Sequence, residues 1–198
     1  MSSITTTDIC NMALNRIGAK RITDFDTDTS VEAVACQLHY EPTRDAILRG
    51  FEWNFASGRA TLRKDTNTPD FGYDNQFVLP NDFLRIKSLN DSDTSPGDYV
   101  IEGSLLLTDD DEVELLYIKK ITDTTKFEPL FVEVLVLELA LKLVNPLAGA
   151  GLNSERLRNG IIVELRQSLS SARVINKTEI NCSGGNYWND ARYSSVTE

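Results

Sequence analysis

Hydrophobic positions recur every three to four residues towards both ends of the chain and every second residue in its middle, which predicts helices flanking a region of strands. Thr5, Thr6 and Thr7 offer a cap, Ile9, Ala13 and Ile17 recur at helical spacing, and Gly18 closes a short first helix. Thr29 and Glu32 have the spacing of a capping box, in front of a second helix whose apolar positions are Val31, Val34, Ala35 and Leu38. That pattern resumes after Pro42 with Ala46, Ile47 and Phe51, and the proline should kink or interrupt the helix because it has no N–H to donate. Residues 130–144 are apolar round most of a helical circumference, with Pro129 in the first turn and Pro146 just beyond the end, as suits the central helix of a core. The stretch carries Glu133, Glu138 and Lys142, whereas a membrane span needs about 20 residues with few charges, so no membrane partner is expected. After Gly149 and Gly151, Asn153 or Ser154 should cap a last helix of about 20 residues, weakened at Gly160. Its stripe is Leu157, Ile161, Leu165, Leu169 and Ala172, with Arg158, Arg166 and Arg173 off it.

In the middle, residues 60–64, 76–79, 84–89, 99–101, 105–108 and 113–119 read as short strands, and Val113, Leu115 and Tyr117 should share one face. The acidic, turn-rich segments 90–98 and 109–112 connect them. The expected class is therefore α+β: a discontinuous helical bundle from residues 1–58 plus 124–180, an inserted small antiparallel β domain over 59–123, and an extended C-terminal tail over 181–198. No internal repeat is visible.

The aromatic residues Trp53, Phe55, Phe71, Tyr73 and Phe77 stand beside Pro80, Asn81 and Asp82, where the fixed φ of proline and the Asx-turn tendency end one strand and start the next. This reads as a packed junction and not as a catalytic site. The order Trp53-Asn54-Phe55-Ala56, aromatic turn, Leu79-Pro80-Asn81-Asp82-Phe83-Leu84-Arg85 resembles the tail tubular protein A family, the head-to-tail adaptors of short-tailed bacteriophages. The strands around Tyr99 to Gly103 and Val113, Leu115 and Tyr117 extend the resemblance, which covers residues 7–179.

The resemblance implies a structural virion protein of the tail and neck, made in the host cytoplasm, with no enzymatic activity and no cofactor. It implies a ring of twelve copies between the portal protein and the tail nozzle protein. The bundle would face the head and the β domain the nozzle, with DNA passing through the channel without sequence-specific binding.

Charge refines this picture. The total of −10 is concentrated in residues 59–128, which carry 8 basic and 15 acidic residues. Sequence-specific nucleic-acid binders neutralise phosphates with clustered Lys and Arg, so this balance speaks against one and suits a surface that DNA slides past. Asp109, Asp110 and Asp111 are the candidate channel-lining acids, although such a run is also an ordinary solvated turn. In the tail, Gly184 and Gly185 do not sustain a helix, while Tyr187, Trp188 and Tyr193 are of the type that anchors interfaces and are expected to dock on a neighbour such as the portal.

Other fragments of chemistry are weaker. Asp24, Asp26 and Asp28 copy the first alternating ligands of a calcium loop, but the sixth position is Thr29 and the twelfth Ala35, so they are expected to serve the following helix N-terminus instead. His39 is the only histidine, without a second imidazole for a metal. Cys10, Cys36 and Cys182 lack metal spacing and are expected to be reduced, the first two as small hydrophobes; the start MSSITTTDIC has no secretory pattern, which predicts a cytosolic site of synthesis. An alternative function, an adaptor that also hydrolyses a cell-wall or capsule polysaccharide, would need two carboxylates, of which Glu52 beside Trp53 is the first candidate.

Overall fold

The structure is a computed structural model that describes residues 4–90, 98–149 and 151–180. Among these residues the chain is mixed α+β, with four α-helices and two small antiparallel sheets. Helix α1 spans Thr6–Arg16 and begins with a capping box at Thr5, whose hydroxyl accepts from the Asp8 amide while the Asp8 carboxylate accepts from the Thr5 amide. Gly18 follows it at φ 71°, a conformation that costs glycine little.

Helix α2, Val31–Gly50, starts one residue later than Thr29 and Glu32 predict. Its cap is Ser30, whose hydroxyl accepts from the Ala33 amide, because Asp28 holds the Ser30 amide at 2.8 Å and fixes that residue as the last extended one. The buried face also differs from expectation. Ala33, Cys36, Tyr40 and Leu48 enter the core, while Val31, Val34 and Leu38 are 72%, 54% and 68% exposed. Pro42 does not interrupt the helix; it lies on the exposed side, where solvent can satisfy the carbonyl that its missing N–H leaves free.

Helix α3, Pro129–Ala148, is the centre of the molecule. Pro129 occupies its first turn as expected, but the helix continues through Pro146 instead of ending before it. Ten of its side chains are buried, from Phe131 to Val144, and α1, α2 and α4 all pack on it. Helix α4, Leu152–Ile180, is 29 residues long, well beyond the expected length, and Gly160 does not break it. Neither Asn153 nor Ser154 is its cap, since both lie inside the helix and the Ser154 hydroxyl instead donates to the Ala148 carbonyl at 3.1 Å. The expected stripe does face α3, with Ile161, Leu165 and Ala172 buried, Leu157 and Leu169 half-buried, and Arg158, Arg166 and Arg173 exposed.

The strands are β1 Ser57–Thr61, β2 Arg63–Lys64, β3 Asn75–Val78, β4 Phe83–Leu89, β5 Tyr99–Glu102, β6 Leu105–Thr108 and β7 Glu114–Lys119. They form two sheets, in the orders β1-β7-β4 and β2-β3-β6-β5. The strand expected over residues 60–64 is thus divided at Leu62, which is buried between β1 and β2 and donates its amide to the Val113 carbonyl at 2.8 Å. Val113, Leu115 and Tyr117 share a face as predicted and join Phe77, Leu79, Leu89 and Leu106 in a small core between the sheets. Ile118, next along β7, points the other way into the helical core.

Trp53 joins the two parts. It is fully buried, touches the rings of Phe51, Phe55 and Phe131 at centroid distances of 4.6, 6.0 and 5.2 Å, and donates its indole N–H to the Ile47 carbonyl. The Pro80 to Phe83 turn is pinned from β7, where the Tyr117 hydroxyl donates to Asp82 at 3.0 Å. Phe71, expected within this junction, is instead 88% exposed, in the long connection between β2 and β3 that turns at Gly72, φ 94°. Gly58 pairs with Tyr117 across β1 and β7, and a Cβ there would stand 3.0 Å from the tyrosine ring. Gly58→Ala must therefore displace a ring held by Asp82, and we expect it to lower stability by about 1–3 kcal/mol, measured as a shift in urea midpoint at unchanged slope.

Candidate functional site

Three helices cover α3, leaving its fourth side open. Arg16 of α1 reaches Glu164 of α4 at 2.6 Å, which closes that seam of the bundle. On the opposite side α2 and α4 stand apart, and a groove of about 530 Å³ runs between them with Val134, Glu138 and Lys142 of α3 as its floor. Pro42, Ala46, Ile47 and Phe51 form one wall and Leu169 and Arg173 the other, with His39 also among the lining residues. The groove is apolar along most of its length, with polar groups from Glu138, Lys142, Arg173 and His39. Sequence reasoning missed it, because its walls come from segments more than 100 residues apart.

The exposed stripe of α2 is the second feature. Val31, Val34 and Leu38 lie three and four residues apart, so they align on one side of the helix, with half-buried Ala35 beside them. This is the pattern the sequence displays as a core face, now turned to solvent.

Of the candidate acids, Asp109 accepts from the Asp74 amide at 3.0 Å and Asp110 from the Asn90 side chain at 2.9 Å. The Asn75 amide donates to the Asp110 carbonyl, which ties this turn to the neighbouring strands. Asp111 alone is free of such duties, its exposed carboxylate 3.7 Å from Lys64. Two of the three acids therefore hold the β6–β7 turn in shape. Tyr187, Trp188 and Tyr193 lie outside the described residues, as do Cys182 and residues 91–97 of the acidic loop.

Glu52 does not sit in apolar surroundings. It is exposed beside buried Trp53 and pairs with Arg85 at 3.3 Å. Asp24 and Asp28 spend their oxygens on the loop itself: Asp24 accepts from the amides of Asp26 and Thr27, and Asp28 from those of Thr23 and Ser30. Among the described residues no cluster of three or more His, Cys, Asp or Glu side chains is placed to hold a metal ion. Cys10 and Cys36 are buried free thiols on facing helices, and side-chain hydrogen bonding to Cys36, with burial second, pushes the Cys10 thiol up, which keeps it protonated and inert. Among the described residues no helix is long and apolar enough to cross a membrane.

No known protein-family model matches the chain, and no curated protein matches it either. The adaptor resemblance accordingly stands on the residues that carry it, chiefly those from Trp53 to Arg85.

The Asp28 hydrogen bonds, first those from the Thr23 and Ser30 amides, hold its carboxyl well below the usual carboxylate range. A depressed folded-state pKa adds stability that is complete above the ordinary value of 3.8 and is lost as pH falls below it towards the folded value. Asp28→Asn should therefore lower Tm at pH 7 and flatten the loss of Tm between neutral pH and pH values below 3.8, a comparison that thermal melts of the two proteins make directly.

Proposed function

We propose that the protein is a structural ring subunit, a head-to-tail adaptor that sits between a portal and a tail nozzle and surrounds a channel through which DNA passes. The observation that carries this reading is the second apolar face of α2. A helix with apolar residues on two sides needs cover on both, and in the single chain only one side has it. A neighbouring copy is the natural cover, because α4 offers the complementary chemistry: Val163 and Val174 are exposed among Arg156, Arg166 and Arg173, while α2 carries Glu32 and Glu41. Contact of α2 in one subunit with α4 in the next is heterologous, the geometry that closes rings. The motif shared with the adaptor family supports the same reading by forming the joint between bundle and sheets, not a reactive site. Exposed, Arg-paired Glu52 gives the polysaccharide-hydrolase alternative no support.

In this reading the purified subunit binds a portal ring in equal numbers, and native mass measurement of the mixture should give that ratio; a ratio far from one to one would sink the adaptor role. Leu38→Glu should leave the Tm of the free subunit nearly unchanged and weaken ring formation on the portal at least tenfold, as expected when a charge is forced into an apolar contact worth more than about 1.4 kcal/mol. For the channel, Asp111→Lys is the informative change, since Asp109 and Asp110 are structural. It should slow genome ejection in a manner relieved by added salt, and unchanged ejection at low salt would remove Asp111 from the channel wall.

A further inference from the structure

Phe71 has the most exposed large hydrophobic side chain among the described residues, at 88%. Its loop is tied down at the base. The Asp65 amide donates to the Gln76 carbonyl at 2.8 Å, the Gln76 side chain donates to the Asp65 carboxylate at 3.1 Å, and the Asp74 amide donates to Asp109 at 3.0 Å. Gly72 turns the chain directly after Phe71, at a φ of 94° that residues with a Cβ adopt only under strain. The aromatic ring is thereby presented from a fixed base, which reduces the ordering cost of burying it in a partner, and exposed aromatics of this kind anchor interfaces. The loop is also acidic: from Asp65 to Asp74 it carries Asp65, Asp70 and Asp74 and no Lys or Arg, with Asp70 immediately before Phe71.

The groove between α2 and α4 has the complementary character. Ala46 and Phe51 on one side and Leu169 on the other give it apolar walls, and its volume of about 530 Å³ is that of a pocket which encloses a small organic group. Lys142 and Arg173 are exposed among its lining residues, and neither makes an ion pair among the described residues. Glu138, half-buried, is the one acid of the lining. A ring with a carboxylate beside it therefore meets apolar walls and two unpaired cations. The two features do not meet within a chain: Phe71 is not among the residues that line the groove, and its loop hangs from β2 and β3, whereas α2 packs on β4 and β7 of the other sheet. The groove also continues a surface that lacks cover, since Leu38 and Pro42 stand one helical turn apart and the exposed stripe of α2 runs into the groove wall. Because ring and groove occupy different parts of the subunit, a contact between them is heterologous, each copy giving one and receiving one.

We propose that Phe71 of one copy seats in the α2–α4 groove of a second copy, with Asp70 facing Lys142 and Arg173. This contact goes beyond the adaptor reading, which uses neither Phe71 nor the groove, and it is tested on the free subunit without a portal. In sedimentation velocity the wild type should associate as its concentration rises. Phe71→Ser and Ala46→Glu, both at exposed positions, should each weaken that association at least tenfold at unchanged Tm. Mixing the two variants is decisive, because one keeps the groove and the other the aromatic: association should return between unlike chains, told apart by a tag on one of them. No recovery on mixing overturns the proposal and leaves the adaptor role standing, since that role is read out on the portal. If Ala46→Glu lowers the Tm, Lys142→Glu, at an exposed position of the same groove, takes its place. Where association is too weak for sedimentation, a photoreactive benzoylphenylalanine in place of Phe71 should join two chains on irradiation, with the adduct on α2, α3 or α4 at the groove. Adducts elsewhere, adducts only within one chain, or none overturn it.

Discussion

The structure depends on the need to cover α3. A helix with ten buried side chains, eight of them in the run from Phe131 to Ala140 that only Glu133 and Glu138 interrupt, has little face of its own to give to water. Each fully buried Leu, Val or Phe contributes about 1.5–3 kcal/mol over its exposed state, so the packing of α1, α2 and α4 on this one helix dominates the stability of the bundle. The charges on α3 fall where cover is incomplete or polar: Glu133 accepts from Ser168 of α4 at 2.9 Å, and Glu138 and Lys142 form the floor of the groove. The bundle is thus built from the centre outwards, and its open side is a property of having three covering helices and not four.

The β region is fastened to this bundle by a few specific contacts. Ile118 and Ile121 lie in the helical core, Arg49 at the end of α2 donates to the Leu84 carbonyl at 2.7 Å, and Lys120 meets Asp45 at 2.9 Å. Trp53 stands at the crossing point of these connections, between the end of α2 and the first strand. The position of the sheets relative to the helices therefore rests on an aromatic cluster at one side and on ion pairs and backbone contacts at the other.

Most of the element order was legible because short-range rules govern it. The change of period over residues 59–121, most of the strands and the face shared by Val113, Leu115 and Tyr117 follow from alternation alone. Decisions that rest on particular side-chain contacts were not legible. Thr29 with Glu32 and Ser30 with Ala33 are adjacent solutions to capping one helix, and the choice falls to Asp28 in the preceding loop. Helix α2 has two apolar faces; the side with the larger aliphatic residues is left outside because Cys36 and Tyr40 fit against α1 and α3, a matter of packing that periodicity does not rank. Length failed at Pro146 and beyond Ala172 because neither a proline on an exposed surface nor a single Gly160 outweighs the contact of α4 with α3. As for sites, the sequence picked out the acids of the β6–β7 turn but not their hydrogen bonds, and the groove had no local signature at all.

The passage of the chain through Leu62 bears on how the molecule carries force. The segment that ends in one sheet at Thr61 begins in the other at Arg63, with no slack between, and the intervening residue is both buried and bonded to Val113. Tension applied along this segment is shared at once by β7 on one side and β3 on the other. Pulling β1 and β2 apart at this crossing must unseat Leu62 and break its bond to Val113, which couples the two sheets mechanically at that point.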